Sequence, residues 1–160
     1  MKNLIFKSVS ALVFMLIYIP AVFSQGNFYY FKNANMNIPL PANWVASEHI
    51  LLLLMPRNEE LQLKIELVPE VSLKDEVLNT INEFKNLYPD DTTYVLNDFV
   101  VNKLIIKEIS KVINGEKLNY FIISTPDNQI VKIHYIAPKD IALKYNGDIQ
   151  KIIKNLKLKG

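Results

Sequence analysis

Cysteine is absent from this 160-residue chain. That excludes disulfides, thiolate metal sites and cysteine nucleophiles together, so stability must come from an ordinary apolar core. Glycine is nearly as scarce. Gly26, Gly115, Gly147 and Gly160 are too few and too scattered to build a glycine-rich phosphate loop. Histidine occurs only at His49 and His134. None of Ser47, Ser72, Ser110 and Ser124 stands in a Gly-x-Ser-x-Gly elbow or has a Ser-x-x-Lys partner. A large excess of charge is missing too, with 18 Lys+Arg against 16 Asp+Glu.

Even that small excess belongs to the N-terminus. Met1 to Lys7 is a short basic start, Ala11 to Ile19 an apolar run, and Pro20 breaks it before Val22-Phe23-Ser24. This is the three-part plan of a secretory signal peptide over residues 1–24, with cleavage expected after Ser24. The apolar run is shorter than the ~20 residues that span a bilayer. Lys2 and Lys7 leave with the leader and no acid does, so the mature chain is neutral. A neutral domain offers no electrostatic footprint for nucleic acid or an anionic membrane. Residues 25–160 are enough for one core, and a single secreted or periplasmic domain is expected.

What the sequence does have is a meander. Lys103 to Ile113 and Glu116 to Thr125 are rich in β-branched and aromatic residues, and Asn114-Gly115 between them is a strong hairpin signal. Pro126-Asp127-Asn128 is a second turn, followed by a third strand from Gln129 to Ala137. Upstream, Asn27 to Leu40 reads as a short first strand and a turn. His49 to Met55 is an apolar run that suits a strand at the sheet centre, buried on both faces. Leu61 to Leu67 alternates strictly, with Leu61, Leu63, Ile65 and Leu67 inward.

Ser72, followed by Asp75 and Glu76, opens a helix in which Leu73, Val77, Leu78, Ile81, Phe84 and Tyr88 recur at helical spacing until Pro89. Tyr94 to Val101 is a further strand, with a kink expected at Asn97-Asp98. After Pro138, Ala142, Tyr145, Ile149, Ile152, Ile153 and Leu156 define a closing helical region that Asn146-Gly147 should split in two. The meander strands are apolar on both faces, so each face needs a cover. The expected class is α+β: an antiparallel sheet of about six strands with a helix packed on each face.

Candidate chemistry is thin. His134 sits on a strand without a serine, cysteine or acid placed beside it in sequence to form a relay, so a structural role on the sheet face is the simpler reading. Asp90-Asp91 and Glu59-Glu60 lack the 1,3,5 oxygen spacing of a calcium loop and read as solvated turn acids. Phe28 to Phe31 reads as first-strand packing at least as well as a recognition platform. No catalytic, cofactor-binding or metal-binding residue is expected.

The order of these features resembles the PsbP-like fold. The resemblance is carried by Ile38-Pro39-Leu40-Pro41-Ala42-Asn43-Trp44, in which Leu40-Pro41-x-x-Trp44 matches the Pro-x-x-Trp opening of such domains. Ile149 to Leu158 is similar to their closing helix, and the likeness extends over residues 28–158. The family includes the PsbP subunit of photosystem II, a Ran-binding nucleotide-release factor, DcrB-type envelope proteins and the Eag chaperones. The resemblance implies an α/β/α sandwich that binds or assists a protein partner without catalysis, and it carries over no site residue. A small-ligand or lipid carrier is the alternative expectation, and a hydrolase a more distant one.

Overall fold

The computed structural model describes residues 28–48 and 51–159. The expected leader (residues 1–24) and His49 lie outside the described residues. The hairpin signals organise the rest. Asn114 and Gly115 both take positive φ, 51° and 83°, and join β7 (Leu104–Ile113) to β8 (Glu116–Ser124). Thr125 to Gln129 then turns β8 into β9 (Ile130–Pro138), with the Gln129 amide donating to Thr125 Oγ1 at 3.0 Å and Asn128 at φ 62°.

A third tight turn carries no glycine. Asn102 and Lys103, at φ 48° and 69°, join β6 (Val95–Val101) to β7. With β3 (Trp44–Glu48), β4 (Leu52–Pro56) and β5 (Leu63–Val68) these strands form a seven-stranded antiparallel sheet, ordered β3-β4-β5-β9-β8-β7-β6.

The N-terminal hairpin stands outside that sheet. β1 (Phe28–Phe31) and β2 (Met36–Pro39) pair with each other, and β2 takes β10 (Lys157–Leu158) on its other side. The expected count of about six strands thus becomes seven in the main sheet and three in a second one. The His49–Met55 run is also not central: β4 is next to the edge strand β3, and Leu51 is exposed. β4 is nonetheless well covered, because Leu52 and Leu54 enter the main core.

Two helices follow from capping and amphipathic spacing. Ser72 Oγ accepts from the Asp75 amide at 3.1 Å and starts α1 (Leu73–Leu87). Leu78, expected on its buried stripe, is exposed, while Glu76, Thr80, Ile81 and Phe84 are buried. α2 (Lys139–Lys154) runs without the expected break at Asn146-Gly147. Its buried stripe of Ala142, Tyr145, Ile149, Ile152 and Ile153 outweighs the ~1 kcal/mol that one helical glycine costs. The closing helix ends at Lys154 rather than Leu158, because Lys157 and Leu158 are taken up by β2. Likewise β6 shows no kink at Asn97-Asp98. Asn97 lies opposite Glu108 and Asp98 opposite Lys107, and the side chains of both pairs are bonded across the strands.

Alternation along β8 divides the core. Phe121 and Ile123 join a cluster with Leu104, Ile106, Ile133, Tyr135 and the α2 stripe. Leu118, Tyr120 and Ile122 join a smaller one with Ile109, Ile130, Ile81 and Phe84 of α1. Because successive strand residues face opposite ways, the two helices cover opposite faces. Trp44 pins α2 to the sheet edge, donating from Nε1 to Asp148 Oδ2 at 3.0 Å and meeting the Tyr145 ring edge-on at 6.0 Å.

Two substitutions test these backbone readings. Gly147→Ala is expected to stabilise the fold by about 0.5–1 kcal/mol, since an added Cβ meets nothing within 4 Å. Lys103→Gly is expected to add ~1 kcal/mol by removing a side chain from a left-handed position. Urea unfolding of the two variants measures both effects.

Candidate functional site

The α1-facing side of the sheet carries a polar layer under the helix. Lys132 of β9 and Glu76 of α1 are both buried, and Lys132 Nζ lies 2.9 Å from Glu76 Oε1 and 3.7 Å from Glu83 Oε2. Burial strengthens the mutual attraction of such a pair and removes hydration from both charges, so each needs the other. Lys132 Nζ also stands 5.3 Å from the centre of the Tyr120 ring. Tyr120 packs edge-on against Phe84 and stacks on His134, with centroids 5.1 Å apart and planes within 9°. Thr80 Oγ1 and His134 Nδ1 are buried in this layer without a hydrogen-bond partner.

His134 borders a cleft of about 340 Å³ that Glu60, Gln62, Lys64, Tyr120 and Ile136 also line. Its pKa is pushed down to about 4, first by burial and then by the charges of Lys132 and Lys64. Glu66 Oε1, 3.9 Å from Nδ1, favours the imidazolium but stands beyond hydrogen-bonding distance and loses to desolvation. His134 is therefore neutral at pH 7. No serine shares a hydrogen bond with its Nδ1 among the described residues.

The remaining sequence candidates take structural positions. Ser72 is the α1 cap, and Ser124 Oγ is buried against the Thr125 carbonyl. Asp91 accepts from the Thr93 amide and hydroxyl and holds the ammonium of Lys111, itself buried. Glu60 is engaged by Lys144 and the Tyr145 hydroxyl. In the first strand, Lys157 and Lys159 lie over the rings of Phe28 and Tyr30 at 4.5 and 4.4 Å, and the Tyr29 hydroxyl donates to Glu48. Those aromatics tie the small sheet together and link it to β3.

What sequence reading missed is the buried pair Lys132–Glu76. The signal was present: Glu76, Thr80 and Phe84 are four apart, which puts the acid on the same stripe as the core phenylalanine.

The edge strand β6 is the other feature of note. Neither helix reaches over it fully. Leu96 and Val100 are 46% and 68% exposed, and their neighbour Ile105 on β7 is 47% exposed. These three face the α1 side, as the pairs Leu96↔Ile109 and Val100↔Ile105 place them. On the α2 side, Asn97, Phe99 and Val101 form one wall of an open groove of about 680 Å³, opposite Gln150 and Lys154. Among the described residues no group of three or more His, Asp or Glu converges on a metal position. No helix there is long and apolar enough to cross a membrane.

The architecture is the PsbP-like α+β fold. No protein-family model matches the chain, and no curated protein matches it in sequence. Solved structures do match. One is the cyanobacterial PsbP protein CyanoP of Synechocystis sp. PCC 6803, with a TM-score of 0.54 at 7% identity over 82% of this chain and 91% of that one. Another is LpqN of Mycobacterium tuberculosis, a protein involved in cell envelope biogenesis, with a TM-score of 0.52 at 11% identity over 78% of this chain and 83% of that one. At such identities the likeness is one of fold.

Lys132→Met leaves Glu76 buried and unpaired and is expected to cost about 3–5 kcal/mol in urea unfolding, whereas the double variant Lys132→Met/Glu76→Leu recovers most of it. The His134 shift gives a pH dependence of fixed sign. The unfolded imidazole takes its proton near pH 6.5 and the folded one only near 4. Its contribution is thus fully present above pH 6.5 and is lost as pH falls through that window. Between pH 7.5 and 5 the loss is about 1–2 kcal/mol after allowance for solvent screening. His134→Phe, compared with the parent by urea unfolding at both pH values, is expected to remove that share of the slope.

Proposed function

We propose that the chain is an exported, non-catalytic PsbP-like domain that binds a protein partner. Residues 1–24 serve as the cleaved signal peptide and residues 25–160 as the mature domain. The observation that carries the partner reading is the uncovered edge of the main sheet at β6, with Leu96, Val100 and Ile105 exposed beside it. Proteins usually conceal such a strand, since its unpaired backbone and apolar side chains attract other chains. The fold places the domain beside LpqN, an envelope biogenesis protein, which agrees with an exported chain.

Two further observations support binding over the alternatives. The layers between each helix and the sheet are filled by side chains of near-zero exposure, and the described clefts open at the rim, which suits a docking surface better than a lipid or small-ligand chamber. His134 is neutral and stacked on Tyr120, with its Nδ1 unpartnered, which suits packing better than hydrolysis.

Two measurements on the full-length chain test the reading. The intact mass of the exported protein is expected to begin at Gln25; a mass that retains Met1 to Ser24 removes the export claim. A photocrosslinking residue at Val100 is expected to give discrete protein adducts, and the same residue at exposed Leu143 on α2 is not. Adducts at neither position, with a small molecule co-purifying in native mass spectrometry, transfer the assignment to a carrier.

A further inference from the structure

The β6 edge has properties that narrow what can dock on it. Its register with β7 runs unbroken from Val95↔Ser110 to Val101↔Leu104. It contains no lysine, proline or bulge, the usual devices that blunt an edge. Its one charge, Asp98, is held by Lys107 on β7 but keeps a half-exposed carboxylate. The opposite edge, β3, is shorter and its Glu48 is already held by Tyr29 of the small sheet. Among the described residues, the backbone groups of β6 that point away from β7 are therefore a free row of the main sheet, and the longer of its two edges.

The two sides of β6 differ in chemistry. On the α1 side a strand laid against it meets Leu96 and Val100, with the Asp98–Lys107 pair between them and Ile105 behind Val100. On the α2 side it meets the groove, whose outer wall is Gln150 and Lys154, one helical turn apart. Neither forms a side-chain hydrogen bond or ion pair among the described residues. Glu108 also lines the groove, but both its oxygens are engaged, by Asn97 at 3.1 Å and Asn119 at 2.9 Å. The groove thus presents an amide and a free ammonium to an incoming side chain.

We propose that β6 receives an extended segment of a protein partner as an added strand. Its alternate side chains are apolar over Leu96 and Val100, and acidic or amide toward Gln150 and Lys154. This deepens the partner-binding reading above and rests on it. A second copy of the chain is disfavoured as the occupant: two β6 strands paired antiparallel about their centres set Asp98 against Asp98, like charges directly opposed. An extended heterologous segment meets no such clash and gains main-chain hydrogen bonds along the strand, with side-chain pockets on alternate positions for specificity.

The test is a fluorescence-anisotropy titration of the full-length protein with a blocked peptide of about nine residues alternating valine with glutamate. Saturable binding is expected, weakened about tenfold or more by N-methylation of alternate peptide bonds or by the double variant Leu96→Lys/Val100→Lys. A peptide alternating valine with lysine is expected to bind several-fold less well, and Lys154→Glu to reverse that preference. Both sites of the double variant are exposed, so its thermal midpoint should match the parent's. Equal binding of the N-methylated peptide, or unchanged binding by the double variant, overturns the proposal. So does a concentration-dependent dimer in sedimentation that the double variant abolishes, which would assign the edge to a second copy. A native partner that stays bound to the double variant removes the edge assignment but leaves the partner-binding reading standing. The absence of any protein adduct removes that reading itself.

Discussion

Strand β8 sets the terms for the rest of the structure. From Leu118 to Ser124 every residue is buried, on both faces of the sheet. Each large apolar side chain that is fully covered there contributes roughly 1.5–3 kcal/mol, so a cover on each face is a strong requirement. The chain supplies two amphipathic helices, and the division of the core into two clusters shows both committed to the middle of the sheet. Among the described residues nothing of that kind is left for the periphery. The openness of β6 is thus the geometric remainder of covering β8 and β9, and its exposed Leu96 and Val100 stand where helical cover has run out.

The helix on the smaller cluster is positioned by charge as well as by apolar contact. Ile81 and Phe84 are the buried apolar residues of α1, with Leu73 and Val77 partly buried beside them, a narrow stripe. Glu76 meeting Lys132 fixes the rotation, and Tyr120 and His134 floor the space beside the pair. A buried ion pair gives little net stability against an apolar substitute, so its contribution here is chiefly one of placement.

Much of this was legible in the residues. Asn114-Gly115, the alternation of Leu63 and Ile65, and the Ser72 cap each act through local chemistry, and each is found where the sequence indicates. The failures share a cause, which is tertiary context overriding local preference. Asn146-Gly147 signals a break, yet the stripe on either side of it packs as one surface. Asn97-Asp98 signals a kink, yet Glu108 and Lys107 lie opposite to hold the strand. The turn at Asn102-Lys103 was silent because lysine is a poor marker of left-handed backbone. The open edge was not legible at all: exposure of Leu96 depends on strand order, and strand order is not written in any local pattern.

The small sheet has a kinetic meaning. Its last strand adds to β2 across a great length of chain, with the Lys159 amide bonded to the Asn35 carbonyl at 2.8 Å and the two residues 124 positions apart. Closing a loop of that size costs entropy that only late-forming contacts return, and such topologies fold slowly. One side of β2 stays unpaired until Lys157 and Leu158 dock on it. The seam between β2 and β10 is thus expected to close after the local hairpins of the main sheet have formed.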